Sequence, residues 1–225
     1  EVEPVKVTSV SLDRKSASIY VGKSLQLKAT VKPDDAQNKA VTWKSSNTAV
    51  ATVDSKGLVK ALKVGSATIT VTTKDGKKTA TCNFTVKEEA VPIYRLYNPN
   101  SGEHFFTGSA TERDNLIKLG WKNEKIGWYA AKKSSIPVYR LYNKNAGNDH
   151  FYTKSAAEKD KLVKLGWKYE GIAFYASETK TTPVYRAYNP NAKMGTHHYT
   201  KSKSEYDTIV KLGWKAEKIA WYAVK

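Results

Sequence analysis

From Val5 to Lys87 apolar and polar residues alternate over short stretches, as in Leu25-Gln26-Leu27-Lys28-Ala29-Thr30-Val31 and Ala67-Thr68-Ile69-Thr70-Val71. A period of two turns one face of a strand toward a core and the other toward water. Gly22, Pro33-Asp34-Asp35, Asn47, Gly57, Gly65 and Asp75-Gly76 punctuate the stretch. Strands spaced roughly 8–12 residues apart between such breaks predict an all-β sandwich. Asp75-Gly76 has the composition of a two-residue hairpin turn.

After residue 91 the pattern changes and repeats itself at a period of about 45 residues, which marks a repeat architecture. Three openings, Pro92-Ile93-Tyr94-Arg95-Leu96-Tyr97-Asn98, Pro137 to Asn143 and Pro183 to Asn189, each lead to a short strand, His104 to Thr107, His150 to Thr153 and His197 to Thr200. A helix follows in each copy. Ser109/Glu112, Ser155/Glu158 and Ser202/Glu205 have capping-box spacing, in which serine and glutamate satisfy each other's backbone N–H groups. Gly120, Gly166 and Gly213 suit the left-handed residue that ends a helix. Leu116, Ile117, Leu119 and their equivalents give the helix a small apolar face, expected to pack on the strands because a helix of about ten residues does not stand alone. Closing strands run Ile126 to Ala130, Ile172 to Ala176 and Ile219 to Ala223.

The strings Val41-Thr42-Trp43-Lys44-Ser45-Ser46-Asn47, Val50 to Asp54, Gly57-Leu58-Val59 and Gly65 to Ile69 resemble the bacterial immunoglobulin-like domain, group 2. That resemblance implies an exported bacterial protein in which this domain is a stalk or spacer. The Tyr-Arg-Leu-Tyr-Asn, His-Phe-Tyr-Thr and Leu-Gly-Trp motifs resemble repeats of unknown function at the ends of secreted bacterial and phage proteins, among them cell-wall lysins and peptidases. The resemblance implies targeting, by association. The expected fold class is therefore multidomain and mainly β. An Ig-like β-sandwich spans 1–87, and a domain of three β-β-α-β repeats spans 88–225, with repeats at 91–134, 135–180 and 181–225; closure into a pseudo-threefold domain is preferred over stacking as a short array.

Composition sharpens the division. Of the Phe, Trp and Tyr residues only Tyr20, Trp43 and Phe84 precede residue 90, and all four histidines follow it. The net charge of +17 divides into +6 before residue 91 and +11 after it, with no run of five like charges. A diffuse positive field favours anionic partners, or serves only as a solvated face. The single Cys82 excludes an internal disulfide and reads as a buried, inert thiol. No apolar run is long enough to span a bilayer. The sequence begins without methionine or signal peptide, which reads as a piece of a longer exported chain.

Candidate binding residues recur by copy: Tyr97, Asn98, Asn100 and His104; Tyr142, Asn143, Asn145 and His150; Tyr188, Asn189, Asn191 and His197. The Asn-x-Asn pairs are ordinarily turns in which asparagine bonds its own backbone. The loop from the second Asn to the first His is four, five and six positions long, and variable loops are where specificity resides. In Trp128-Tyr129, Phe174-Tyr175 and Trp221-Tyr222 adjacent strand residues face opposite ways. Trp128, Phe174 and Trp221 are taken as the stacking platforms. Trp121, Trp167 and Trp214, beside the helix-stopping glycine, read more readily as core. Arg95, Arg140 and Arg186 pair with Glu124, Glu170 and Glu217 or clamp a ligand. Three histidines can hold zinc, but the carboxylates beside them, Glu103 and Asp149, give way to Thr196 in the third copy, so no metal or cofactor is expected. No HExxH, GxSxG or phosphate-cradling loop is present, and Glu112, Glu158 and Glu205 are assigned to capping.

The function expected is non-catalytic attachment at a cell surface or wall. The secreted or surface-displayed chain, a monomer, binds a wall glycan or anionic wall polymer through the repeats. A protein–protein adhesion module is the alternative function, with a host glycan or surface protein as alternative partners; a metal-dependent hydrolase is the weakest reading, and nucleic acid is disfavoured by export.

Overall fold

The computed structural model describes residues 3–225 and divides into two units at Glu88/Glu89. Among the described residues the N-terminal unit has nine strands: β1 (Ser9–Leu12), β2 (Ser16–Tyr20), β3 (Ser24–Gln26), β4 (Ala29–Lys32), β5 (Val41–Ser45), β6 (Ala51–Val53), β7 (Leu58–Ala61), β8 (Gly65–Thr73) and β9 (Thr79–Lys87). A four-stranded sheet in the order β2-β9-β8-β5 faces a three-stranded sheet β3-β7-β6, and β1 pairs with β4. Leu27, Val59 and Ala61 from one side meet Ile69, Cys82, Phe84 and Val86 from the other in a single core. Each fully buried Leu, Ile or Phe there contributes roughly 1.5–3 kcal/mol.

Two details depart from the sequence pattern. The alternating run Leu25–Val31 is two strands, because the chain leaves β7 after Gln26 and joins β1 from Ala29. Leu27, at the crossing, is 1% exposed and donates its N–H to the Gly57 carbonyl. The Asp75-Gly76 turn is longer than two residues: β8 ends at Thr73 and β9 begins at Thr79. The Thr73 hydroxyl accepts from Lys78 N–H and donates to the Asp75 carbonyl, while the Asp75 carboxylate accepts from Val7 N–H at 2.9 Å. These side-chain bonds hold open a wider loop. Gly57 is required twice over, since its φ is +84° and a Cβ there would lie 2.7 Å from the Trp43 ring.

The second unit passes three times through strand, strand, helix, strand. The first segment comprises β10 (Ala90–Tyr97), β11 (His104–Thr107), α1 (Ala110–Lys118) and β12 (Lys122–Ala131). The second comprises β13 (Pro137–Asn143), β14 (Asp149–Thr153), α2 (Ala156–Lys164) and β15 (Lys168–Tyr175), with a 3-10 turn at Lys144–Ala146. The third comprises β16 (Thr182–Tyr188), β17 (His197–Thr200), α3 (Lys203–Lys211) and β18 (Lys215–Ala223). In each, the first strand is central and antiparallel to the other two. One bridge, Ala131↔Tyr175, joins the first two segments into a six-stranded sheet. Tyr129 exchanges backbone bonds of 2.8 Å with Lys225 and Val224, and Ser177 N–H reaches the Tyr222 carbonyl.

The helices begin as their serines predict. Ser109, Ser155 and Ser202 accept from the N–H of Glu112, Glu158 and Glu205 at 3.2, 3.1 and 3.1 Å. The reciprocal half of the box is absent: the serine N–H groups bond instead to the hydroxyls of Thr107, Thr153 and Thr200. That frees the three glutamates. At the other end, Trp121 N–H bonds to the Leu116 carbonyl and Gly120 N–H to that of Ile117, a Schellman motif repeated in α2 and α3. The expected apolar face is not buried. Only Tyr206 among the helical residues is fully covered, and Leu119, Leu165 and Leu212 are 76, 69 and 77% exposed.

Candidate functional site

The buried core of the second unit is aromatic and drawn from all three segments: Phe106, Trp128, Tyr152, Phe174, Tyr199 and Trp221, closed off by Ile93, Val138 and Val184. Trp128 and Trp221 are each 1% exposed and Phe174 6%, so the residues taken as stacking platforms are the centre of the fold. The strand alternation is right; the face is reversed. A bulge in each closing strand, between the pairs Ile93↔Trp128 and Tyr94↔Ile126 and their counterparts, places Ile126, Ile172 and Ile219 outward at 40, 46 and 40% exposure.

The arginines make the expected pairs within their own segments, Arg95–Glu124, Arg140–Glu170 and Arg186–Glu217, at 2.6, 2.9 and 2.8 Å. Each also grips the freed helix glutamate of another segment. Arg95 meets Glu205, Arg140 meets Glu112 and Arg186 meets Glu158, through both terminal guanidinium nitrogens at 2.8–3.3 Å. The contacts run from first to third, second to first and third to second segment. The capping assignment of these glutamates is thereby corrected: serine caps, and glutamate bridges. Burial alone would raise the Glu205 pKa, but hydrogen bonds from His198, Arg95 and Thr200 outweigh it and hold the carboxyl far below its usual range.

The predicted tyrosine–histidine pairs come together across their hairpins. Tyr97–His104, Tyr142–His150 and Tyr188–His197 have ring centroids 5.0 Å apart. The asparagines are used locally: Asn98, Asn143 and Asn189 each accept the backbone N–H of Asn100, Asn145 and Asn191 at 3.0 Å. The histidines do not gather. Each has its Nε2 3.3–3.6 Å from its own segment's glutamate and packs on residue 198, 105 or 151 of another segment. The Nδ1 of His150 lies 2.6 Å from buried Glu103, and the Asp149 carboxylate accepts from the Thr196 hydroxyl. Among the described residues no three His, Cys, Asp or Glu side chains are disposed to hold a metal ion. Burial, then neighbouring His198 and Arg95, lowers the His104 pKa to about 3; burial and Arg186 lower that of His197 to about 4.

Grooves open where segments meet. At the first–second junction one of about 390 Å³ is lined by Val91, Ile93, Gly108, Ile172, Phe174 and Tyr175. It shares Gly108, Ser109 and Ile172 with a second of about 210 Å³ that reaches Thr107, Glu112, Arg140 and Glu170. The second–third junction repeats the latter at about 150 Å³ with Thr153, Ser155, Glu158, Arg186, Glu217 and Ile219. Sequence reasoning missed these sites, because no motif brings a helix start of one copy to a strand of the next.

Residues 92–224 match the family model described as "Domain of unknown function (DUF5648)". The chain belongs to that family. The group 2 bacterial Ig-like domain matches residues 6–84. A protein of Clostridium acetobutylicum without stated function is 40% identical over 92 residues, 40% of this chain and 10% of its own. The 3-O-alpha-D-galactosyl-alpha-L-arabinofuranosidase of Bifidobacterium longum subsp. longum is 45% identical over 82 residues, 36% of this chain and 7% of its own. The kappa-carrageenase of Pseudoalteromonas carrageenovora is 49% identical over 74 residues, 33% of this chain and 19% of its own. The chain thus spans a fifth or less of these three relatives. In the DUF5648 unit, then, the junction grooves combine carboxylates, a guanidinium and outward isoleucines, and no helix of the described chain is long and apolar enough to cross a membrane.

Proposed function

We propose that the DUF5648 unit is a non-catalytic, extracellular attachment module that holds a saccharide in the grooves between its pseudo-threefold segments, with the Ig-like unit as its spacer. The observation that carries this reading is the joined groove at the first junction. Its apolar half, along the accessible side chains of Val91, Ile172 and Tyr175, suits the C–H face of a sugar ring. Its polar half offers Glu112 and Glu170 as acceptors and Arg140 as donor for hydroxyls. Repetition at a second junction supports avidity, in which weak equivalent sites act together on a polymer. Two relatives named as glycosidases, and the Ig-like family itself, support a glycan-facing, exported setting.

The grooves also refine the ligand. Glu112 and Glu170 outnumber Arg140, so a neutral or amine-bearing saccharide fits them better than a phosphate-bearing polymer, despite the positive surface elsewhere. Gly108 allows a direct test: it has no positive φ, and a Cβ there meets only Ile93 at 3.5 Å and the Pro92 carbonyl at 3.9 Å. Gly108→Trp fills the groove without straining the backbone. Retention on purified peptidoglycan, with a glycan array alongside, should fall at least tenfold while the melting temperature holds. Unchanged retention by the folded variant would remove the groove from the binding site.

A further inference from the structure

Lys118-Leu119-Gly120-Trp121-Lys122 recurs residue for residue at 164–168 and 211–215. The glycine and tryptophan have structural uses. Gly120 takes φ +93°, and Trp121 N–H closes the Schellman motif. A lysine in the last turn complements the helix dipole. The leucine has no such use: at the C-cap it is 76, 69 and 77% exposed, and a polar residue would hold the fold as well.

The three tips share one end of the unit. Lys122 pairs with Tyr97, which pairs with His104, so the helix ends and the 98–103 turn lie at the same end of the sheet; Lys168/Tyr142/His150 and Lys215/Tyr188/His197 repeat this. The turns themselves touch. Glu103 accepts the His150 N–H at 3.0 Å, Thr196 bonds to Asp149, and a Cβ on Gly195 would lie 2.8 Å from the Gly102 carbonyl. Together the tips and turns carry eight lysines. Their two carboxylates, Glu103 and Asp149, are 4% and 2% exposed and bonded inward. This end is therefore positive, with three leucines standing out from it.

We propose that this end docks on a bilayer surface rich in anionic phospholipid. Lysines beside a leucine meet the negative headgroups, while the leucine enters the boundary between headgroup and acyl chain. Charge alone would suit a soluble polyanion, and lysine would then suffice. A leucine repeated in every tip specifies an amphiphilic surface. Each contact is weak, and three on one rigid end act together.

The test compares sedimentation of the full chain with large vesicles of phosphatidylcholine alone and of phosphatidylcholine containing phosphatidylglycerol. The wild type should bind only the anionic vesicles. Leu119→Ser/Leu165→Ser/Leu212→Ser should keep the wild-type melting temperature, yet lose vesicle binding at least tenfold. Lys118→Gln/Lys164→Gln/Lys211→Gln should weaken it and make the remainder less steeply dependent on salt, since five of the eight lysines stay in place. Equal vesicle binding by the leucine variant would overturn the proposal, as would a wild type that ignores anionic vesicles. So would soluble polyphosphate bound by wild type and leucine variant alike and displacing the vesicles completely, since the surface would then recognise phosphate and not a bilayer.

Discussion

Arg95 and Glu205, 110 residues apart in sequence, face each other through two N–H···O contacts of 3.0 and 2.8 Å, and the same guanidinium holds Glu124 with its Nε. The pair ties the first segment to the last. Its carboxylate stands on the first turn of α3, three residues after the serine cap.

Removing one member leaves the other partly buried without its partner. Arg95→Ala should therefore lower the stability of the C-terminal unit by about 2 kcal/mol, the scale of hydrogen bonds to charged groups. Arg95→Lys should recover little, because an ammonium cannot reproduce the two-pronged contact. Urea unfolding followed by tryptophan fluorescence checks both, since every tryptophan but Trp43 lies after residue 90. A loss confined to a few tenths of a kcal/mol would mean the contact is a solvated surface pair.

Much of this was legible in the sequence, and the failures share a cause. Helix starts, glycine stops and the Arg–Glu pairs within a segment are local or set by register, so spacing reveals them. Glu112, Glu158 and Glu205 were misassigned because capping-box spacing is met equally by a glutamate that turns away to another segment. Trp128 and Ile126 stand two apart and should share a face; the bulge between them puts one in the core and one in water. Leu119 looks like core in a helical pattern, but the helix rests on its Leu116 side, which is half-buried.

Acid should weaken the C-terminal unit well before carboxylates ordinarily titrate. His104 and His197 stay neutral in the fold down to about 3 and 4, whereas in the unfolded chain they take up protons near the free-histidine value of about 6.5. Between those limits the unfolded chain binds more protons, so stability falls as pH falls. Glu112, Glu158 and Glu205, all lowered in the fold, add a second loss below the ordinary glutamate range, in the same direction. The midpoint of thermal unfolding should be flat above pH 7 and decline steadily from 6.5 to 4. His104→Gln should flatten the upper part of that decline; an unaltered curve would show that His104 is solvated.

Trp128→Ala and Trp221→Ala should each cost about 3–5 kcal/mol, as deletion of a fully buried aromatic does. Any loss of ligand binding in these variants should follow unfolding, read by circular dichroism in the same samples. A folded Trp128→Ala protein with wild-type stability would contradict the core placement.

The last expectation concerns an unfinished set of bonds. The Tyr152 hydroxyl donates to the Phe106 carbonyl and accepts from the Phe106 N–H at 2.9 and 3.0 Å, and the Tyr199 hydroxyl does the same to Tyr152 at 2.9 and 2.9 Å. Each tyrosine thereby satisfies two buried backbone groups on the outer edge of a neighbouring strand. At the third position the first segment has Phe106, which has no hydroxyl to offer Tyr199. The rings are otherwise alike: Phe106–Tyr199, Phe106–Tyr152 and Tyr152–Tyr199 centroids are 5.8, 5.8 and 5.5 Å apart, all edge-on. Phe106→Tyr should place a hydroxyl against the Tyr199 backbone and raise stability by about 1 kcal/mol, the net worth of a buried hydrogen bond. Tyr152→Phe and Tyr199→Phe should each lower it by about 1–3 kcal/mol, because they leave a buried N–H and carbonyl unpaired. Chemical denaturation of the three variants decides the matter. A Phe106→Tyr protein less stable than wild type would show that the third position has no room for the oxygen, and that the phenylalanine is there for packing.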